Sequence, residues 1–445
     1  MTPIPRPPRW RGLVHGALWP ARLLERTRGR RRLALLLLFL SLAGIPLVLA
    51  WRASRLVGLP DVGDPFDTVA FRSFQPAEED NAFTYFHRAR ERSERSETIE
   101  RRVLKNPWTW PAGSDARSLE YLRRNEAALA LWRKGTECAD ALERPVSELN
   151  IESTLPDVQD HRHFVRLALL HAAKCHADGD LEAAWGWLRA VLRGSRLVGR
   201  NGIAIARMVG SAEYAQGADL TKTWMADPRL GPALLRRALN DIGEINVLTL
   251  PDSNAMKVEY LSLMNTLDDT VALREFFLDD PWSLGSIDRT AWYNHLPGAQ
   301  RARWFLTNEP ERSRRLIRLA FQNWLSHCDG PAETRPALVG PPDLVRPPRD
   351  GPRSSPWFYD GHPEAALGAR ALAVRVESTA IVKALLPAHW AFQKVADRDR
   401  SRRADLVMAL AEEVFRREQG REPETHHELI GTVLERVPDG YTPTE

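Results

Sequence analysis

Residues 33–51 read LALLLLFLSLAGIPLVLAW, nineteen positions without a charge. No other feature limits the chain as much. As a helix rising ~1.5 Å per residue the run is ~28 Å long, close to the hydrocarbon thickness of a bilayer. It is apolar on every side, so it has no polar face to turn to water and does not suit the surface of a soluble domain. Arg28, Arg30, Arg31 and Arg32 crowd its leading end, and Arg52 and Arg55 follow it. The basic flank predicts an N-terminus in the cytoplasm and residues 52–445 outside it. The chain then reads as a single-pass protein of the inner (cytoplasmic) membrane with an extracytoplasmic main domain. A cleaved signal peptide is the competing reading, and Val48-Leu49-Ala50 offers a cleavage site. The basic segment would be unusually long for that, and the apolar run exceeds the ~7–15 residues of a signal core. An uncleaved anchor is the expectation.

Charge is distributed to match. Residues 1–32 carry nine arginines against Glu25, a net +8, while the whole chain is +4; residues 33–445 therefore hold −4. The high pI belongs to the basic cytoplasmic tail. The large domain has no excess charge for phosphates, so nucleic acid is not an expected partner. Before the anchor, Trp10, Leu13, Val14, Ala17, Leu18, Leu23 and Leu24 alternate with arginines. They read either as a helix lying on the anionic leaflet or as an unstructured basic tail. Three cysteines (Cys138, Cys175, Cys328) without a Cys-x-x-Cys pair exclude a disulfide framework.

The remainder reads as all-α. Residues 52–76 form a linker punctuated by Gly58, Pro60, Gly63, Pro65 and Pro76. An α-helical domain spans 77–329. A Pro-rich loop follows over 330–363, with nine prolines. Residues 364–445 supply C-terminal helices that pack back on 77–329. Helical patterns fall at about 77–104, 115–135, 158–178, 180–200, 203–226, 229–248, 253–278, 309–328, 363–386, 388–419 and 424–436. No convincing run of alternating strands occurs. Trp108 and Trp110 sit between prolines and read as a ligand platform or as rings laid on the domain. The scatter of the fifteen tryptophans leans toward core.

One helical hairpin stands out. Asp178-Gly179-Asp180 separates two helical patterns, and Leu181-Glu182-Ala183-Ala184-Trp185 opens the second. Gly179 suits a left-handed helix stop and Asp180 a helix cap. With Gly-Asp at the turn and Ala184 four residues on, the stretch around 167–200 resembles a single tetratricopeptide-like unit. No second copy follows at that period, so the resemblance implies a helix-turn-helix and no solenoid. At the C-terminus, Phe415 to Pro423 reads as a long helix closed by Gly420-Arg421-Glu422-Pro423, with Leu429 beyond. Together with Asp64-Pro65-Phe66-Asp67 and Asn81-Ala82-Phe83-Thr84-Tyr85, this resembles uncharacterised single-pass, helix-rich envelope proteins of planctomycete-type bacteria. The resemblance implies an envelope protein and brings no catalytic residues with it.

The best constellation for chemistry is His161, His163, His171, Cys175, His176, Asp178 and Asp180. His171 and Cys175 are i and i+4 on one helix face. They and His163 are weak metal candidates, because no third ligand is placed by spacing and the His-Glu-x-x-His pattern is missing. The sequence carries no calcium loop, phosphate loop, nucleophile elbow or cofactor motif. Adjacent acids such as Asp268/Asp269 and Asp279/Asp280 read as caps or solvated faces. The expectation is a membrane-anchored, non-catalytic protein-interaction or scaffold protein. It contacts lipid through 33–51 and binds a protein partner through its helical domain. A membrane-anchored extracytoplasmic hydrolase using carboxylate or His residues is the alternative.

Overall fold

The structure, a computed structural model, describes residues 28–96, 98, 116–151, 153, 155–269, 305–341, 357–361, 365–386 and 389–441. The basic segment before residue 28, the Trp108/Trp110 loop, Asp279/Asp280, the end of the helical pattern at 253–278 and most of the Pro-rich stretch lie outside these residues. The chain divides into two compact units, residues 1–60 with 288–312, and 61–287 with 313–445.

In the first unit, α1 (Arg28–Ser54) contains the apolar run. Its stretch Leu35–Ser54 is long and apolar enough to cross a membrane, and none of it is buried within the protein. Pro46 lies inside the helix.

The second unit is built from helices joined by short turns. Residues 61–72 lie along it: Asp64 accepts hydrogen bonds from Tyr260 Oη (2.6 Å) and Arg318 Nε (3.1 Å). Within this stretch Asp67 caps the short α2 (Thr68–Arg72) at Val69 N and Ala70 N. The Asn81 side chain caps α3 (Ala82–Arg92) at Phe83 N and also pairs with both backbone groups of Leu142. The pattern at 115–135 becomes two helices, α4 (Ala116–Arg124) and α5 (Glu126–Thr136). They break at Asn125, whose side chain bonds Tyr121 O and Glu94 N.

Next come α6 (Pro156–Ala177), α7 (Leu181–Val198), α8 (Ala204–Met225), α9 (Pro232–Val247) and α10 (Asp252–Asp268). Between α6 and α7, Gly179 adopts φ +85° and Asp180 accepts from Ala183 N at 2.9 Å. The central element is α7, which touches α5, α6, α8 and α9. Ala184, Leu188, Ala190, Val191, Leu192, Leu197 and Val198 on it are wholly buried. Close approach to α8 requires glycine: a Cβ at Gly210 would lie 2.3 Å from Ser195 O, and one at Gly217 2.9 Å from Leu192 Cδ2. Trp185 stacks on Trp224 at 5.1 Å, and their indole N–H groups donate to Asp241 and Leu181 O. Trp132, Trp185, Trp224 and Trp324 are core residues.

The later elements are α11 (Glu309–Leu325), α12 (Ala369–Glu377), α13 (Ala380–Leu385) and α14 (His389–Gln419). The single pattern at 363–386 is interrupted because the hydroxyls of Ser378 and Thr379 both donate to Arg375 O at 2.8 Å. α14 is stopped by Gly420 at φ +70° and packs on α8 and α9. Only a 3₁₀ turn, His426–Leu429, forms in the expected terminal helix. Gly431, at φ +81°, turns the chain just beyond it. One antiparallel pair of two-residue strands, β1 (Leu338–Val339) and β2 (Phe358–Tyr359), is present among the described residues. It is too short to leave an alternating signature. Asn323 on α11 stands in for a third strand: its amide donates to Tyr359 O and its carbonyl accepts from Tyr359 N, both at 2.8 Å.

Candidate functional site

α6 brings two of the three weak metal candidates together. Cys175 Sγ lies 3.5 Å from His171 Nδ1, as their one-turn spacing dictates. Burial raises the Cys175 thiol and lowers His171, which also feels Lys174 and Arg133. Both shifts favour the neutral forms, so this is a thiol beside an imidazole and not a thiolate–imidazolium pair. His163, two turns earlier, is buried against Tyr121 and Phe164 and does not join them. Among the described residues no group of three or more His, Cys, Asp or Glu is arranged to hold a metal. The other members of the constellation are spent locally. Lys174 pairs with Asp178, His176 with Asp227 (2.9 Å), and Asp180 caps α7.

His171 instead lines an open groove of about 450 Å³ between α4, α5, α6 and α7. Leu119, Leu122, Leu129 and Ala130 supply apolar walls. Trp187 is its aromatic floor. His171 stacks on that ring at 4.5 Å, and the Arg133 guanidinium lies 4.7 Å from the ring centroid. On the rim, Glu120 holds Arg123 and Asp178 holds Lys174, while Arg133 lies against Trp187. The arrangement offers apolar area, an aromatic plate and the Arg133 guanidinium, with no activated nucleophile among its lining residues.

Two buried polar assemblies escaped the sequence reading. In the first, His161 Nδ1 meets Glu213 Oε2 at 2.9 Å with both side chains almost wholly buried. Phe86 and Trp132 pack on the imidazole, and a Cβ at Gly194 would come within 3.0 Å of its Nε2. This close packing leaves no room for a substrate atom at the ring.

The second assembly ties α14 to the earlier helices. Arg196 on α7 forms a bidentate pair with Asp399 on α14 (2.7 and 2.9 Å) and lies over Tyr214. Arg403 adds a second contact to Asp399 at 3.3 Å. A neighbouring string runs from Arg207 to Asp252 (3.7 Å), Arg400 (3.0 Å), Asp397 (3.2 Å) and Arg335 (2.7 Å). Burial alone would raise the Asp399 carboxyl, but Arg196 and Arg403 hold it well below the usual range. Burial, with Arg196 beside it, pushes Arg207 down to about 10. The only sequence signal was the run Asp397-Arg398-Asp399-Arg400, which reads as a solvated face.

Beside this string, His389 is fully buried and stacks on Trp324 at 4.7 Å. Among the described residues, neither of its ring nitrogens has a hydrogen-bond partner. Burial, reinforced by the Arg335 charge, pushes it down to about 3.

Burial tunes several carboxyls upward, Asp252, Glu259 and Glu412 among them, and Glu143 lines a small cavity. Burial raises Glu143 to about 7, against the lowering effect of the Asp157 N–H that it accepts at 3.0 Å. That bond caps α6. The adjoining cavity, about 10 Å³, has room for roughly one water.

No family model, curated protein or solved structure matches the chain.

Proposed function

We propose that the protein is a membrane-anchored, non-catalytic protein-interaction or scaffold protein of the cell envelope, of the kind its two ends resemble in planctomycete-type bacteria. The observation that carries this reading is the open groove around Trp187. A ridge of apolar side chains from a partner helix fits walls made by Leu119, Leu122 and Leu129. The Arg133 guanidinium beside Trp187 favours a partner helix that bears a carboxylate next to its apolar face. Trp and Arg at the centre of such a groove are the residue types that dominate interface energies. The groove lies on the helical domain, and α1 supplies the anchor with the N-terminus in the cytoplasm.

The test is a crosslinked pull-down of the full-length protein from native membranes, with residues 1–58 alone as control. A stoichiometric partner that needs residues 59–445 and is lost with Trp187→Glu supports the reading. A pull-down no richer than the control contradicts it.

Glu143 favours a second reading, a hydrolase using a carboxyl group poised near neutral pH. If that holds, Glu143→Gln abolishes any hydrolytic activity that the purified protein shows on ester, peptide and glycoside panels. If Glu143 only caps α6, the substitution changes stability and no turnover is found.

A further inference from the structure

We infer that Phe305 and Leu306 form a second membrane contact, seated at the lipid headgroup boundary beside the outer end of α1. This rests on the reading of α1 as a membrane-spanning helix. The apolar run ends at Trp51, which is exposed, as suits an aromatic residue at a bilayer interface. The next residue, Arg52, holds the 305–308 segment directly. Its guanidinium lies 3.9 Å from the Phe305 ring centroid, donates to Phe305 O, and donates to Asn308 Oδ1 at 3.0 Å. Phe305 is therefore one arginine side chain away from the end of the span.

Phe305 and Leu306 are nevertheless 56% and 40% exposed. Val57, on the turn after α1, is 69% exposed. Asn308 takes φ +53°, which bends the chain between the helical turn at 305–307 and the start of α11. Trp51 and Val57, from the end of α1 and the turn after it, and Phe305 and Leu306, in the segment held there by Arg52, supply the exposed apolar side chains of a collar. It lies next to a helix none of whose described side chains is buried. A cation at that level reaches the phosphates while its stem and the rings beneath stay among acyl chains. A bilayer interface is the occupant that accepts both the collar and Arg52.

The experiment places an environment-sensitive NBD label on the full-length protein in phosphatidylethanolamine/phosphatidylglycerol vesicles. Leu306→Cys is labelled in a Cys175→Ser background; Cys138 and Cys328 are buried. Phe305→Cys serves as a second site, Leu47→Cys reports the middle of α1, and Val437→Cys reports an exposed residue of the other unit. Lipids carrying a doxyl quencher near the headgroup should remove roughly half of the emission at 306, as for a group seated ~5–10 Å below the surface. Arg52→Gln should reduce that quenching. A label at 306 that behaves like the one at 437, while 47 is quenched by deep probes, overturns the inference and leaves the anchor intact. Absence of quenching at 47 removes the spanning reading and this inference with it.

Discussion

At the scale of single residues, the structure concentrates its electrostatic cost on α14. His389 stays neutral in the core, with a folded value near 3 against an ordinary 6.5. As pH falls below 6.5 the unfolded chain takes up the proton first. The stability associated with a neutral His389 is therefore complete above 6.5 and is lost as pH falls toward 3, by up to about 1.4 kcal/mol per unit. Urea unfolding of the detergent-solubilised protein should become steeply weaker between pH 6 and 4, and His389→Phe should flatten that dependence. Equal slopes for the two proteins would contradict the assignment. Asp399 gives a second test. Asp399→Asn leaves Arg196 buried against a neutral amide and should cost about 3–5 kcal/mol. Arg196→Met combined with Asp399→Leu should recover most of the loss. Little of this was legible in the sequence. His171 and Cys175 meet because one helical turn separates them, and spacing reveals that. Arg196 and Asp399 are 203 positions apart, and only the packing of α14 on α8 and α9 brings them together.

At the scale of elements, periodicity marked where most helices lie, because apolar residues repeat once per turn along each buried face. The breaks were harder. Asn125 and Ser378-Thr379 end helices through side-chain bonds to the backbone, and no glycine or proline marks either place. Gly179 and Gly420, by contrast, stop α6 and α14 with the positive φ that glycine permits. The α7–α8 contact is set by what is missing from side chains. Gly210→Ala pushes a methyl against backbone that cannot rotate away, and should destabilise the protein by about 3 kcal/mol or more. Gly243 on α9 has open space where a Cβ would go, so Gly243→Ala should stabilise by roughly 0.5–1 kcal/mol. Thermal unfolding of both variants measures the contrast. Similar melting temperatures would mean that α7 and α8 approach less closely than described.

At the scale of the whole molecule, the chain combines a long apolar helix, none of whose described side chains is buried, with an all-α unit that carries buried ion pairs such as Arg196–Asp399. The long apolar helix was legible because a bilayer-length run is uninterrupted, which a linear string displays directly. The groove around Trp187 was not legible: it draws on four helices, and no spacing rule links Leu119 to His171. The central claim is that α1 spans the membrane uncleaved and displays the helical unit outside the cytoplasm. The direct measurement is protease digestion of spheroplasts carrying a C-terminal epitope, with mass spectrometry of the residual membrane-bound fragment. If α1 spans uncleaved, external protease removes the epitope and leaves a membrane fragment that begins before residue 33 and ends shortly after residue 52. An epitope protected until the membrane is lysed, or a mature protein that begins after Ala50, would contradict it.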